Sequence, residues 1–373
     1  MKTRFYEIDL LRFLSAIFVV IFHYTYSAHM AGHAPVIDLE NTRIWSRYAY
    51  MGINFFFVIS GFVIFMSVEG GSARKFVASR FSRLFPAYWF ALTVTSIITV
   101  YFGAPKFTVD GAQFLANLTM VNYWFGHMPV DGAYWTLFLE VKFYLLVFGM
   151  LLFRMMKYFL HVIAIVLIVS TATLFHPWAK EMNMWVSIFP HWSGYFAAGG
   201  VFYFIRRDGI RRDGASAFKM LLLALSFVYM VKQSTLFGEL MSGWFSITFN
   251  TTVIATLNIA FFMLFCVTAF CKENILRQKW LYYLGVLTYP IYLVHQNIGY
   301  IIFNHFGDSV DSVVLVTSTI ALMLVAAYVI HTQVERRLAP IFKMAMLRLL
   351  RIPDEGKSRK AAGHCSKGRT GLI

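Results

Sequence analysis

The chain has 373 residues, 59% of them hydrophobic and only 14% charged, against about 25% charged in ordinary soluble domains. A soluble fold this apolar could not cover its own surface, and disordered chains are polar and highly charged. Three cysteines cannot staple so long a chain, so the composition leaves an all-α polytopic integral membrane protein.

A crossing helix needs about 20 apolar residues. Ten stretches qualify, at roughly 8–28, 48–68, 87–102, 133–153, 158–176, 188–205, 216–232, 244–270, 280–303 and 311–334. With both termini in the cytoplasm, 26 of the 33 Lys and Arg fall on the cytoplasmic side, five fall outside, and Arg12 and Lys142 lie within spans. That asymmetry obeys the positive-inside rule. It accounts for most of the net charge of +15 without nucleic acid. Residues 1–340 are expected to form one transmembrane domain and 341–373 a basic, unstructured cytoplasmic tail. Cys266, Cys271 and Cys365 fall on or near the cytoplasmic side. They are expected to be reduced, and they show no metal-ligand spacing.

The first span follows Lys2 and Arg4, as a signal peptide would. Asp9 and Arg12 interrupt its apolar core and no cleavage pattern follows, so it reads as a retained helix. Charged groups at membrane depth cost at least about 2.5–3.5 kcal/mol each, which makes every one a functional candidate. Eleven residues separate Arg12 from His23, about 1100° of helical rotation, so the two share a face about 16 Å apart. Asp9 is one turn before Arg12 and can pair with it. Taken singly, Arg12 could be a snorkelling anchor and His23 a packed core histidine. Their alignment favours a functional stripe.

After the second span comes a basic segment with Arg74, Lys75, Arg80 and Arg83. As a helix, Arg80-Phe-Ser-Arg83 projects two guanidinium forks one way, suited to phosphate oxygens. Simple topology signalling is the competing reading. In the fourth span Glu140 and Tyr144 share a face, while Lys142 points about 200° away. Glu140 could equally be one half of an interhelical salt bridge. The ninth span holds Tyr289-Pro-Ile-Tyr292-Leu-Val-His295-Gln296. Pro290 should kink it, and His295 is another intramembrane polar group that interhelical hydrogen bonding could explain.

Together these blocks resemble the acyltransferase 3 family of integral membrane acyltransferases. Asp9-Leu-Leu-Arg12 with Ala16 and His23 resembles the family's R-x10-H signature. Gly52-Ile-Asn54 through Ser60-Gly61-Phe62 is similar to its second-helix motif, with Asn54 where Asp or Pro is common. Arg80-Phe-Ser-Arg83-Leu-Phe-Pro86-Ala-Tyr88 resembles R-x-x-R-x-x-P-x-Y. Trp135-Thr-Leu-Phe-Leu-Glu140-Val-Lys-Phe143-Tyr144 resembles W-[ST]-L-x-x-E-x-x-F-Y, without the Pro often found after the F-Y pair. The Tyr289–Gln296 block and Glu335-Arg336 match the last two helices. No extracellular hydrolase-like domain is expected after the last span.

The resemblance implies transfer of acetyl from acetyl-CoA to a hydroxyl of a cell-envelope or exported polysaccharide or glycolipid, in a bacterial cytoplasmic (inner) membrane. Arg12, Arg80 and Arg83 would hold the donor, although Arg12 could instead fix Asp9 and the helix end. His23 would be the general base or would carry the acyl group as an acyl-imidazole. Glu140 would be catalytic beside His23, orienting or polarising the reacting groups, or would bind the acceptor. Asp9, Ser60, Trp135, Tyr144, Tyr292 and His295 would bind the acceptor or support the site. No metal and no permanently bound cofactor are implied; acetyl-CoA is a co-substrate, the bilayer and the glycan acceptor are partners, and a homo-oligomer is one open option. The alternative class is a proton-coupled transporter of glycan or lipid intermediates, since intramembrane His, Glu and Arg mark those too.

Overall fold

The computed structural model describes residues 5–68, 71–175, 184–271 and 274–350. Among these residues it contains helices and no strand. The main helices, in chain order, are α1 (Tyr6–Ile21), α2 (Gly52–Val68), α3 (Ala73–Phe102), α4 (Trp135–Leu152), α5 (Phe159–Phe175), α6 (Met184–Asp208), α7 (Gly214–Phe245), α8 (Thr251–Phe270), α9 (Leu281–Val294), α10 (Gln296–Phe306), α11 (Ser312–Val329) and α12 (Arg336–Leu349). Among the described residues, seven continuous helical stretches are long and apolar enough to cross a membrane: Tyr6–Met30, Glu40–Val68, Ala73–Phe102, Gly132–Leu152, Gly214–Phe245, Thr251–Phe270 and Ser312–Leu349. Phe159–Phe175 and Leu281–Val294 are shorter and apolar. The fold is therefore an all-α, polytopic membrane bundle. Its outward faces carry side chains such as Ile165 (60% exposed), Leu221 (64%) and Val325 (60%), which suit lipid and not water.

Small residues set the closest helix contact. A Cβ on Gly61 would lie 2.1 Å from the Phe196 carbonyl oxygen, and one on Gly199 would lie 2.1 Å from that of Val58. Only glycine lets α2 and α6 approach so nearly, the usual device for packing helices where lipid removes the hydrophobic drive.

Three expectations change. The third helix starts well before residue 87: α3 begins at Ala73, with Ser72 accepting from the Lys75 amide, so Arg80 and Arg83 sit on the same helix as the span. The ninth span divides at His295 into α9 and α10. No break occurs at residue 340, because α12 runs to Leu349; residues 341–349 are helix rather than loose tail. Residues 351–373, with Cys365, lie outside the described residues.

The two ends of the bundle are distinct. At the basic end, Glu7 and Arg206 form a buried ion pair at 2.9 Å, and Arg74 reaches the Leu350 carbonyl at 3.5 Å. At the other end, Lys106 Nζ donates to Asn304 Oδ1 at 3.0 Å, Asn304 Nδ2 to the His33 carbonyl at 2.8 Å, and the Asp38 amide to Ser312 Oγ at 3.4 Å. The Ser312–Leu349 stretch has 38 residues, about 57 Å of helix against a hydrocarbon core of about 30 Å. It therefore projects beyond the core, and α12 packs there on the start of α3. Phe342 stacks on Phe81 at 6.0 Å and meets Trp89 edge-on at 5.7 Å.

Candidate active site

Helix α1 links two polar clusters. The first, toward the basic end, gathers Arg12, Arg80, Arg83, Glu140 and Tyr144. Tyr144 Oη donates to Glu140 Oε1 at 2.5 Å, as their i,i+4 spacing on α4 allows. The Arg80 guanidinium lies 5.6 Å above the Tyr144 ring and 5.5 Å above the Phe76 ring. Arg80 is 7% exposed and its Nε has no hydrogen-bond partner. Arg12 lies within the field of Arg83, Asp9, Glu140 and Tyr144, and Glu335 lies within that of Arg83. Three guanidiniums thus share one electrostatic environment with the carboxylates Asp9, Glu140 and Glu335. The excess positive charge is on the rim, where Arg83 is exposed together with Arg74 and Lys75 on α3 and Arg336, Arg337 and Lys343 on α12.

The second cluster is built where α1 opens into a π-helix, Phe22–Ser27. Such segments are rare and frequent at functional sites. The widened turn carries His23, which remains partly exposed. His23 Nδ1 lies 3.0 Å from Tyr300 Oη, and the His23 and His295 rings are 5.2 Å apart. His295 is 0% exposed, and its Nδ1 is 2.8 Å from the Tyr292 carbonyl.

The break at His295 is held by the segment before α4. Asp131 accepts from the Ala133 and Asn297 amides, both at 2.9 Å, and Asn297 Nδ2 donates to the Val130 carbonyl at 2.7 Å. Tyr134 Oη donates to the Leu293 carbonyl at 2.9 Å, and Tyr24 Oη to the His295 carbonyl at 2.6 Å. The Leu293 carbonyl and the Asn297 amide beside the break thus each gain a side-chain partner. In the loop outside the membrane, burial and then Lys106 push the His33 imidazole below its ordinary pKa. His33 stacks on Tyr300 at 5.0 Å.

Between the clusters lies a void of about 10 Å³ lined by Ser15, Ala16, Val19, Ile53, Phe56, Thr136 and Tyr292, at the lower limit for one water molecule. Its α1 residues fall between Arg12 and His23 in sequence. Tyr292 stacks on Phe56 at 5.9 Å, and its hydroxyl lies 2.7 Å from Thr136 Oγ1.

The expected site residues therefore separate. Glu140 and Tyr144 join Arg12, Arg80 and Arg83, while His23 joins His295 and, through His295, Tyr292. Asp9 is buried against α9, where a Cβ on Gly285 would lie 2.5 Å from Asp9 Oδ1. Ser60 is buried at 6% exposure on α2. Trp135 packs edge-on against Trp192 at 5.3 Å and Phe57 at 6.2 Å. Lys142 stands 4.2 Å over the Phe138 ring, apart from Glu140 as its angular position requires. Sequence reasoning missed Tyr300, Tyr24 and Asp131. Tyr300 falls four residues after Gln296, a helical spacing that could have drawn it into the site.

The family model described as "Acyltransferase domain", that of the acyltransferase 3 family, matches residues 5–332, a range that includes both clusters. No curated protein and no solved structure matches the chain.

Proposed function

Since the chain belongs to the acyltransferase 3 family and is a membrane acyltransferase, we propose that it transfers acetyl from acetyl-CoA to a hydroxyl of an envelope or exported glycan or glycolipid. The observation that carries this reading is that Arg12, one member of the guanidinium cluster, and His23 lie on one continuous helical stretch, Tyr6–Met30, about 16 Å apart along its axis. The basic rim of α3 and α12 suits the phosphates of a CoA donor. Guanidinium forks bind such oxygens bidentately. In this reading the donor's thin arm passes through the narrow void between the clusters, which must widen on binding. His23 stands where the thioester would arrive.

In direct transfer, the acceptor O–H gives its proton to His23 as the new O–C bond forms. The C–S bond breaks, and the leaving thiolate takes the proton from His23, so the imidazole ends neutral. In the covalent route a bare nitrogen of His23 attacks the carbonyl, the C–S bond breaks and the CoA thiolate leaves. The acceptor hydroxyl then attacks the acyl carbon, the N–C bond breaks, and the hydroxyl proton passes by way of His23 to the thiolate, so the imidazole ends neutral. Glu140 is assigned to holding Tyr144 and Arg80 in place at the donor end. Asp9, Ser60 and Trp135 support the helices around the path, and Tyr292 borders it. The basic end is assigned to the cytoplasm, following the charge asymmetry, and the protein to a bacterial inner membrane, as the family resemblance implies.

Purified protein in detergent tests the reading. It should release free thiol from acetyl-CoA over many turnovers only when a glycan acceptor is present. Passage of glycan across sealed vesicles without thiol release would favour the transporter class.

A further inference from the structure

The proposed function uses one imidazole, and the structure buries a second beside it. Because a carbonyl can only accept, the 2.8 Å contact to Tyr292 requires a proton on His295 Nδ1. His295 Nε2 is therefore a bare acceptor, and it has no hydrogen-bond partner in a side chain that is 0% exposed. A buried acceptor without a donor is costly, and such groups are explained by strain, missing water or a catalytic role. The nearest group that changes its proton during the reaction is His23, 5.2 Å away ring to ring.

We propose that His295 is the positioning partner of His23, its bare Nε2 accepting a hydrogen bond from the His23 ring when that ring becomes positively charged in the reaction. This inference rests on the reading of His23 given above. It applies to direct transfer, in which the nitrogen of His23 that takes the acceptor proton becomes an N–H donor. In direct transfer the proton taken from the acceptor hydroxyl stays on His23, is shared with His295 Nε2, and leaves with the CoA thiolate. No proton is left over and His295 ends as it began. The logic is that of a base oriented by a third group, with a neutral imidazole as the orienter.

The titratable groups around the pair are Tyr24 on the same helix as His23, Tyr292 on α9, Tyr300 on α10 and His33 in the outer loop, with Asp131 acting on Tyr24 and Tyr300. Among the described residues, none of these places a carboxylate in contact with His23. A neutral acceptor is thus the available means of stabilising its charged form.

Two substitutions separate this role from a structural one. His295→Asn keeps an N–H near the Nδ1 position for the Tyr292 carbonyl and removes the acceptor at Nε2. His295→Gln can place a carbonyl oxygen near Nε2 instead. The proposal expects His295→Asn to lose about 10- to 100-fold in kcat, with an unchanged KM for acetyl-CoA. The acid limb of its rate profile should move to lower pH, because an acceptor that favoured the protonated ring is gone. His295→Gln should recover part of the loss. A structural role predicts the reverse order, with Asn at least as active as Gln and the acid limb unmoved; that result overturns the proposal. Thermal unfolding of both variants in detergent checks that each is folded. An active His23→Asn protein would defeat the underlying reading of His23, whereas an inactive one with the reversed order at 295 defeats the pairing alone.

Discussion

Tyr144 holds Glu140 by a 2.5 Å hydrogen bond while its ring lies under the Arg80 guanidinium. The carboxylate thus acts on the arginine cluster through the tyrosine and is not in contact with the histidines. Glu140→Gln and Tyr144→Phe should each raise the KM for acetyl-CoA, by about tenfold for one weakened charge-assisted contact, with a smaller change in kcat. Arg83→Ala should weaken donor binding by about 10- to 150-fold, and Arg83→Lys should recover only part, since a point charge cannot reproduce the fork. Donor titrations of the purified variants distinguish the roles. A fall in kcat at constant KM in Glu140→Gln would move Glu140 to the reacting centre.

Ala16 lines the void between the clusters, so Ala16→Phe should close the path. Overpacking costs about 1–3 kcal/mol of stability, which leaves a folded protein to assay. The nucleotide part of the donor, given as 3′-phosphoadenosine diphosphate, should bind as in wild type. Acetyl-CoA turnover should fall at least about 100-fold, as misplacement of a reacting group by about 1 Å can do. Normal turnover in Ala16→Phe would mean that the arm follows another route.

Glu7 and Arg206 form an ion pair whose side chains are 6% and 4% exposed, and Arg206 also donates to the Thr268 carbonyl at 2.6 Å. The pair ties the start of α1 to α6 and α8. Glu7→Ala removes a carboxylate from the buried Arg206 guanidinium and should cost about 3–5 kcal/mol. Glu7→Leu combined with Arg206→Met should restore much of it, because well-packed apolar pairs replace buried ion pairs at little cost. Unfolding curves in detergent measure both. Equal losses in the single and double variants would show that packing, not charge, is the main term.

The fold class and the stripe on α1 were legible because apolar run length and helical angle are local properties. The i,i+4 pairing of Glu140 with Tyr144 was legible for the same reason. The extension of α3 back to Ala73 was not, since Arg74, Lys75, Arg80 and Arg83 make its first turns polar. Those turns form a helix by packing against α12, a contact between residues far apart in the chain. The break at His295 was likewise hidden, because it depends on Asp131 and Tyr134 from another segment. Tyr300 carries no charge and sits in an apolar helix, so only its partner in space marks it.

The arrangement of loops predicts a topology. Single cysteines at Ser72 and Ala112, with Cys266, Cys271 and Cys365 replaced, should label from opposite faces of a sealed membrane. Both positions are exposed. Labelling from the same face would contradict the crossing of α3.

The central claim is that the imidazole of His23 handles the reacting proton or acyl group. The direct measurement is turnover of purified His23→Asn, with thermal stability and donor binding measured on the same sample. General acid–base help contributes about 10²–10⁴-fold, so the variant should lose at least about 100-fold in kcat while binding acetyl-CoA normally, because Asn can keep a hydrogen bond to Tyr300 but cannot take a proton. Substantial turnover by folded His23→Asn protein would contradict the account.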